Sequence, residues 1–453
     1  MLFPEGYLRN MYKFILIITL FLICFWVIPC EQAAADDFMV IPHLAVKGEY
    51  NDNIFFAMTD EEEDFVTIIS PMLTLRNRTE RVNLSLSARY NENIYSKNSD
   101  LDTSDQYYNA GFNYQLTAMT AFEIHAGYDE TSRLDRDIEI IDDETAATGL
   151  LMDASTRIRK KGSFSLNSTF SEKFAGSFSY SFYEDDFDDR EDNDMRSHSV
   201  NAGFTRVLGF IDELTVGRFN CGYSKYRFFE SERVIPSSHT FRLNMLSLEI
   251  PLRTDDYYFN NSTQDYYFAT VGVSRNMGEV FSMVIDVGGR YTESKYETGR
   301  RIVPVNDLFS FFEENIKGKN KSTGSGLVAN TALSYNGEVT NWSLNLSHDM
   351  KPASGRTGSS NRTSVAIDFS RRITYELSWN LSTGYYLNES DSGEYSSTGE
   401  DETTVRVRSG IKYNFNKNLS LEGSYNFVRV EDNEDHTDKQ RNLFFVSVNF
   451  KWF

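Results

Sequence analysis

The chain has 453 residues, 14% of them aromatic (26 Tyr and 35 Phe among them), and a formal net charge of −21. Its mean hydropathy of −0.44 is too polar for a helical membrane protein, and its acidity argues against a surface for nucleic acid. Many aromatics in a polar chain fit strands that show one face to lipid and the other to water.

At the start, Lys13 precedes an apolar run from Phe14 to Ile28, and Ala33-Ala34-Ala35 follows. A charged start, an apolar core and a small-residue exit predict a secretory signal peptide over 1–35, with translation beginning at Met1 or Met11. Acylation at Cys30 would need a small residue before it, and Pro29 stands there. Cleavage leaves Cys221 as the one cysteine, which cannot form an internal disulfide.

Residues 36–453 read as one domain of alternating segments. Pro42 and Pro71 fall in the first two candidate strands and predict bulges or rim positions there. In Val82–Tyr90 the residues Val82, Leu84, Leu86, Ala88 and Tyr90 form one face, and Asn83, Ser85, Ser87 and Arg89 the other. A period of two marks a strand between two environments. The same phase runs through Phe122–Asp129, Phe174–Phe182, Trp342–Ser347 and Leu419–Phe427. A soluble sandwich would pack this face with Val, Ile and Leu, whereas here it is rich in Tyr, Phe and Trp, as a membrane girdle would be.

Short turns are predicted at Asn77–Arg81, Leu116–Thr120, Ser171–Lys173, Asn336–Val339, Arg371–Thr374 and Asn416–Asn418. Long polar stretches alternate with them, including Ala57–Asp64, Arg133–Gly149, Glu184–Asp194 and Thr298–Gly324. Such alternation is produced by short periplasmic turns and long, here acidic, extracellular loops. The acidic runs read as solvated loops. Glu230–Thr263 is irregular, either one long outer loop or a further hairpin. The expected fold is all-β, a transmembrane antiparallel β-barrel of about eighteen strands, within a range of sixteen to twenty. The last strand puts Phe444, Val446, Val448, Phe450 and Trp452 on one face. With Phe453 out of phase behind them, Phe450 and Trp452 resemble the terminal signal read by the barrel assembly machinery.

The inner face is expected to carry Arg89, Glu123, Asp286, Arg290, Asp368, Arg406, Arg408, Lys412 and Glu422. These charges either set a transverse field in a pore or neutralise one another across the lumen. In the loop Thr298–Gly324, an apolar cluster of Leu308, Phe309, Phe311 and Phe312 is a candidate constriction, with capping of the rim the alternative. Catalytic chemistry finds no support. The six His residues are scattered, and His348-Asp349 and Asp435-His436 are strand neighbours that point to opposite faces. Asp192-Asn193-Asp194 lacks the rest of a calcium loop. No cofactor, metal or catalytic site is expected.

The first outer end reads Gly48-Glu49-Tyr50-Asn51-Asp52-Asn53-Ile54-Phe55. This run, after a first strand just past the leader, resembles the β-barrel porin-2 family, and in particular barrels found near exosortase and exopolysaccharide loci. The resemblance implies an outer-membrane location and a link to surface polysaccharide, and it carries no catalytic residues. The expected role is porin-like passage of hydrophilic solutes. The alternatives are a partner-dependent component of exopolysaccharide export or surface organisation and, last, an outer-membrane hydrolase. Expected partners are outer-membrane lipid and lipopolysaccharide, the assembly machinery and polysaccharide or export components.

Overall fold

The computed structural model describes residues 37–132, 156–188, 193–230, 233–243, 248–304, 314–352, 358–390, 400–433 and 436–452. The predicted signal peptide, the cluster Leu308–Phe312 and Phe453 lie outside these residues. The alternating segments form strands β1 (Asp37–Asn51), β2 (Asp64–Arg78), β3 (Val82–Tyr95), β4 (Thr103–Thr117), β5 (Thr120–Thr131) and β6 (Arg157–Ser171). They continue as β7 (Phe174–Phe187), β8 (Asn193–Val207), β9 (Thr215–Glu230), β10 (Arg233–Leu243), β11 (Leu248–Met277), β12 (Phe281–Pro304) and β13 (Glu314–Asn336). The last are β14 (Thr340–Pro352), β15 (Ser359–Arg372), β16 (Leu377–Ser390), β17 (Glu400–Asn414), β18 (Leu419–Asp432) and β19 (Thr437–Lys451).

Neighbouring strands pair antiparallel throughout, and β1 pairs with both β2 and β19, which closes the sheet on itself. Closure removes the free edges that the first and last strands would otherwise present to lipid. β10 stands outside the wall. It pairs only with Leu248–Tyr258, whereas the wall portion of β11, Asn261–Arg275, pairs with β9. The irregular Glu230–Thr263 segment is therefore a hairpin that rises from the rim, and the wall has eighteen strands.

The six predicted short turns all separate consecutive strands at one rim, where Asp37 and Lys451 also lie. Two more join this rim, between β8 and β9 and between β11 and β12, the latter with Gly278 at φ +74°. A side chain is strained at that φ, so glycine suits the turn. Neither proline makes a register shift in the β1–β2 ladder. Pro42 turns its carbonyl, and hence its missing N–H, toward the end of β19, where it accepts from the Trp452 amide. Opposite Ser70 and Pro71 the β2–β3 ladder is interrupted but resumes in the same register at Met72. Of the two alternatives, bulges or rim positions, neither proline makes a bulge: Pro42 stands opposite the end of β19, and at Pro71 two β2–β3 pairings are lost without a shift of register.

The outward face is the apolar one. On β12 it runs from Phe281 through Val287 to Tyr291, all exposed. Ten residue steps at about 3.3 Å, on strands tilted about 40°, span roughly 25 Å, the height of an outer-membrane apolar band. Aromatics mark its two borders. At the short-turn rim Phe281 lies 5.0 Å from Tyr335, and Phe369 lies 5.1 Å from Trp379. At the upper border Tyr223, Tyr267 and Tyr291 stand in register, with centroids 4.9 and 6.4 Å apart. Cys221 is on this outward face below Tyr223, half-buried.

Candidate functional site

All nine charged residues assigned to the inner face stand out of phase with the exposed apolar rows of their own strands, and so point into the barrel. Arg89 stacks on Tyr107 at 4.0 Å, and Glu123 accepts from His125 at 2.8 Å. Asp286 pairs with Arg218 at 3.1 Å, and Asp368 accepts from the hydroxyls of Ser382 and Ser343. Arg406 lies 5.7 Å from the Tyr386 ring, as does Arg362. Arg408 meets Glu422 at 3.8 Å, and Lys412 faces Glu422 in register. Inward positions also bring Lys161 to Asp129 at 3.2 Å and Arg159 to Asp185 at 2.8 Å. The pairs run along the wall between nearby strands and do not bridge the lumen.

The lumen is narrowed from an unexpected direction. β14 follows β13 only as far as His348. Beyond it, β14 and the start of β15 leave the wall together and fold inward across β12 and β13 onto β11. Tyr266 donates to Asp349 at 2.7 Å, Gln264 to the Met350 sulfur at 3.4 Å, and Ser359 to Gln264 at 2.5 Å. Arg290, its side chain 1% exposed, reaches Asp349 at 3.6 Å and donates to Asn361. Met350, 3% exposed, packs with Tyr266, Phe268 and Tyr226. Met350 and Asp349 both grip the wall, while Asp349 and Lys351 also line the open space beside it.

That space is two cavities, of about 900 Å³ and 760 Å³, which adjoin at Asn201, Phe268, Asp349 and Lys351. The first is walled by Ser, Asn and Gly of β3–β9, with His125 and Lys161. The second lies against β15–β17 and contains Arg218, Asp286, Arg362, Asp368 and Arg406. Both linings carry Ser and Asn together with charged side chains. Among the described residues, no three His, Cys, Asp or Glu converge on a metal position. His348 and Asp349 diverge: His348 bonds Thr363 on the outer side, and Asp349 faces inward. Asp435 lies outside the described residues.

Residues 34–137 match the model of the family described as Putative beta-barrel porin 2. With the closed wall and its apolar belt, this match supports a β-barrel set in the outer membrane. No curated protein matches the chain. Among solved structures, it is similar to the outer membrane protein OpdK from Pseudomonas aeruginosa, at 11% identity over 91% of this chain and 99% of that chain, with a TM-score of 0.42. It is also similar to the siderophore receptor PirA from Pseudomonas aeruginosa, at 11% identity over 91% and 80%, with a TM-score of 0.38.

The matched segment holds the Tyr50–Phe55 run, which fastens the barrel's seam. Asp52 accepts from the Asn442 amide and side chain, each at 2.7 Å. Asn53, fully buried, donates to the carbonyls of Ala57 at 2.8 Å and Gln440 at 3.0 Å, and accepts from the Ala57 amide. Phe56 (φ 49°) packs on Val428 and Val430. The acidic run after it is only partly solvated. Asp64 is buried and accepts from the amides of Phe65, Lys97 and Asn98, which organises the β3–β4 loop. The Lys97 ammonium at 2.7 Å and the Tyr50 hydroxyl hold the Glu63 carboxyl below its ordinary pKa.

Proposed function

We propose that this chain is a channel for small hydrophilic solutes, narrowed by the folded-in end of β14 and β15. The observation that carries the reading is the pair of adjoining polar cavities inside an eighteen-strand wall. A wall of this size encloses more room than its own side chains fill. The inner charges are largely matched pair by pair, which favours polar solutes of either sign over strong ion selectivity. Purified barrel in a planar bilayer should give steady ohmic steps. Folded protein that gives none, with no uptake of sugars or amino acids into loaded liposomes, would overturn the reading.

A second reading is supported by the same docked end: a barrel shut when alone and opened when an exopolysaccharide export or surface component draws that end out. It predicts silence in the bilayer until the docking contacts are removed.

A further inference from the structure

Above the upper tyrosine border the outward face changes character. In one continuous register, Arg196 of β8 faces Arg227 of β9, which faces Thr263 of β11, then Lys295 of β12 and Lys321 of β13. The same row continues the other way through Glu184 to Lys160. Seven neighbouring strands thus place five cations and one anion in a line outside the barrel. Carboxylates in and beside the line pair with four of its cations: Glu293 takes Lys295 at 2.9 Å and Lys321 at 3.0 Å, and Glu184, itself in the line, takes Arg196 at 2.7 Å and Lys160 at 2.8 Å. Arg227, at its centre, is exposed and makes no ion pair or hydrogen bond among the described residues.

A cationic row here answers a specific electrostatic difficulty. The chain carries a net −21, with acidic loops at the outer rim, and the outer leaflet it meets presents phosphorylated saccharolipids. Like charges would repel at that height, within a Debye length of one another. Guanidinium and ammonium groups directly above an aromatic border are placed to take phosphate oxygens by charge-assisted hydrogen bonds, while their stems lie along the acyl region. Tyr223, just below Lys225 and Arg227, donates at 2.7 Å to one oxygen of Asp265, whose other oxygen lies 3.8 Å from Lys295. We infer that the outward row from Arg196 to Lys321 is a binding surface for the phosphates of an outer-leaflet saccharolipid, independent of what crosses the lumen.

The test compares purified barrel binding to bis-phosphorylated lipid A and to the same lipid after phosphatase treatment, by native mass spectrometry. The expected result is about a tenfold preference for the phosphorylated lipid. The triple variant Arg227→Gln, Lys295→Gln, Lys321→Gln should lose most of that preference, with its heat-modifiable gel shift showing that it folds. If it fails to fold, Arg227→Gln alone should lower the preference about threefold, the share of one contact among several. Lys417→Gln, an equal change of charge at the opposite rim, should leave it intact. No preference in the natural chain overturns the inference. So does an unchanged preference in the folded triple variant or in Arg227→Gln, or an equal fall in Lys417→Gln.

Discussion

Single residues here act at long range in the sequence. Asn53 joins β1 to a carbonyl 387 positions away, at Gln440. It is fully buried, so its amide has no water to turn to. Asn53→Ala leaves the Ala57 amide and the Gln440 carbonyl without these partners, at about 1–3 kcal/mol each where no water enters. We expect a clear drop in the denaturant midpoint of the refolded barrel, whereas Asn418→Ala, at the exposed short-turn rim, should shift it far less. Equal midpoints for the two would mean that the first loop does not fasten the seam. The Tyr50–Phe55 run was visible in the sequence as a resemblance. Its structural task was not, because nothing local says which distant strand an asparagine will meet.

At the scale of elements, the wall was legible and the folded-in end of β14 and β15 was not. Lipid and water impose a period of two, so the phase of Val82–Tyr90 or Trp342–Ser347 could be read directly. Met350 continues the outward phase of Trp342, Leu344 and Leu346, and by phase alone it faces lipid. It is buried inside because β14 parts from β13 after His348, a change of pairing partner that leaves no periodic trace. Likewise the turn between β8 and β9 escaped notice because Phe210 and Ile211, both exposed, make it look like strand. Truncating Met350 to Ala removes its buried packing, at about 2–5 kcal/mol, and adding Asp349→Ala removes the bond from Tyr266. The double variant should release the folded-in end and raise single-channel conductance. Unchanged conductance in a folded double variant would mean that this end does not limit the passage.

For the whole molecule, the hairpin of β10 and the first part of β11 is an addition to a complete wall. The irregularity of Glu230–Thr263 hinted at it, but the two roles of one 30-residue strand, wall below and hairpin above, could not be separated without the pairing. Deleting 233–258 should therefore leave a closed barrel with the same heat-modifiable gel shift and the same bilayer behaviour. Loss of folding on deletion would show that the hairpin takes part in building the wall.

The seam has a consequence for the order of events in biogenesis. The ladder between the first and last strands, and the bonds from Asp52 and Asn53 to Asn442 and Gln440, can form only after nearly the entire polypeptide has been delivered to the membrane. Contacts so distant along the chain are slow to find, because a long loop must close before they reward it. A chain cut short before β19 would leave Asp52 and Asn53 without their bonds to Asn442 and Gln440. Completion is thus coupled to stability, and an unfinished copy stays open to the proteases of the periplasm.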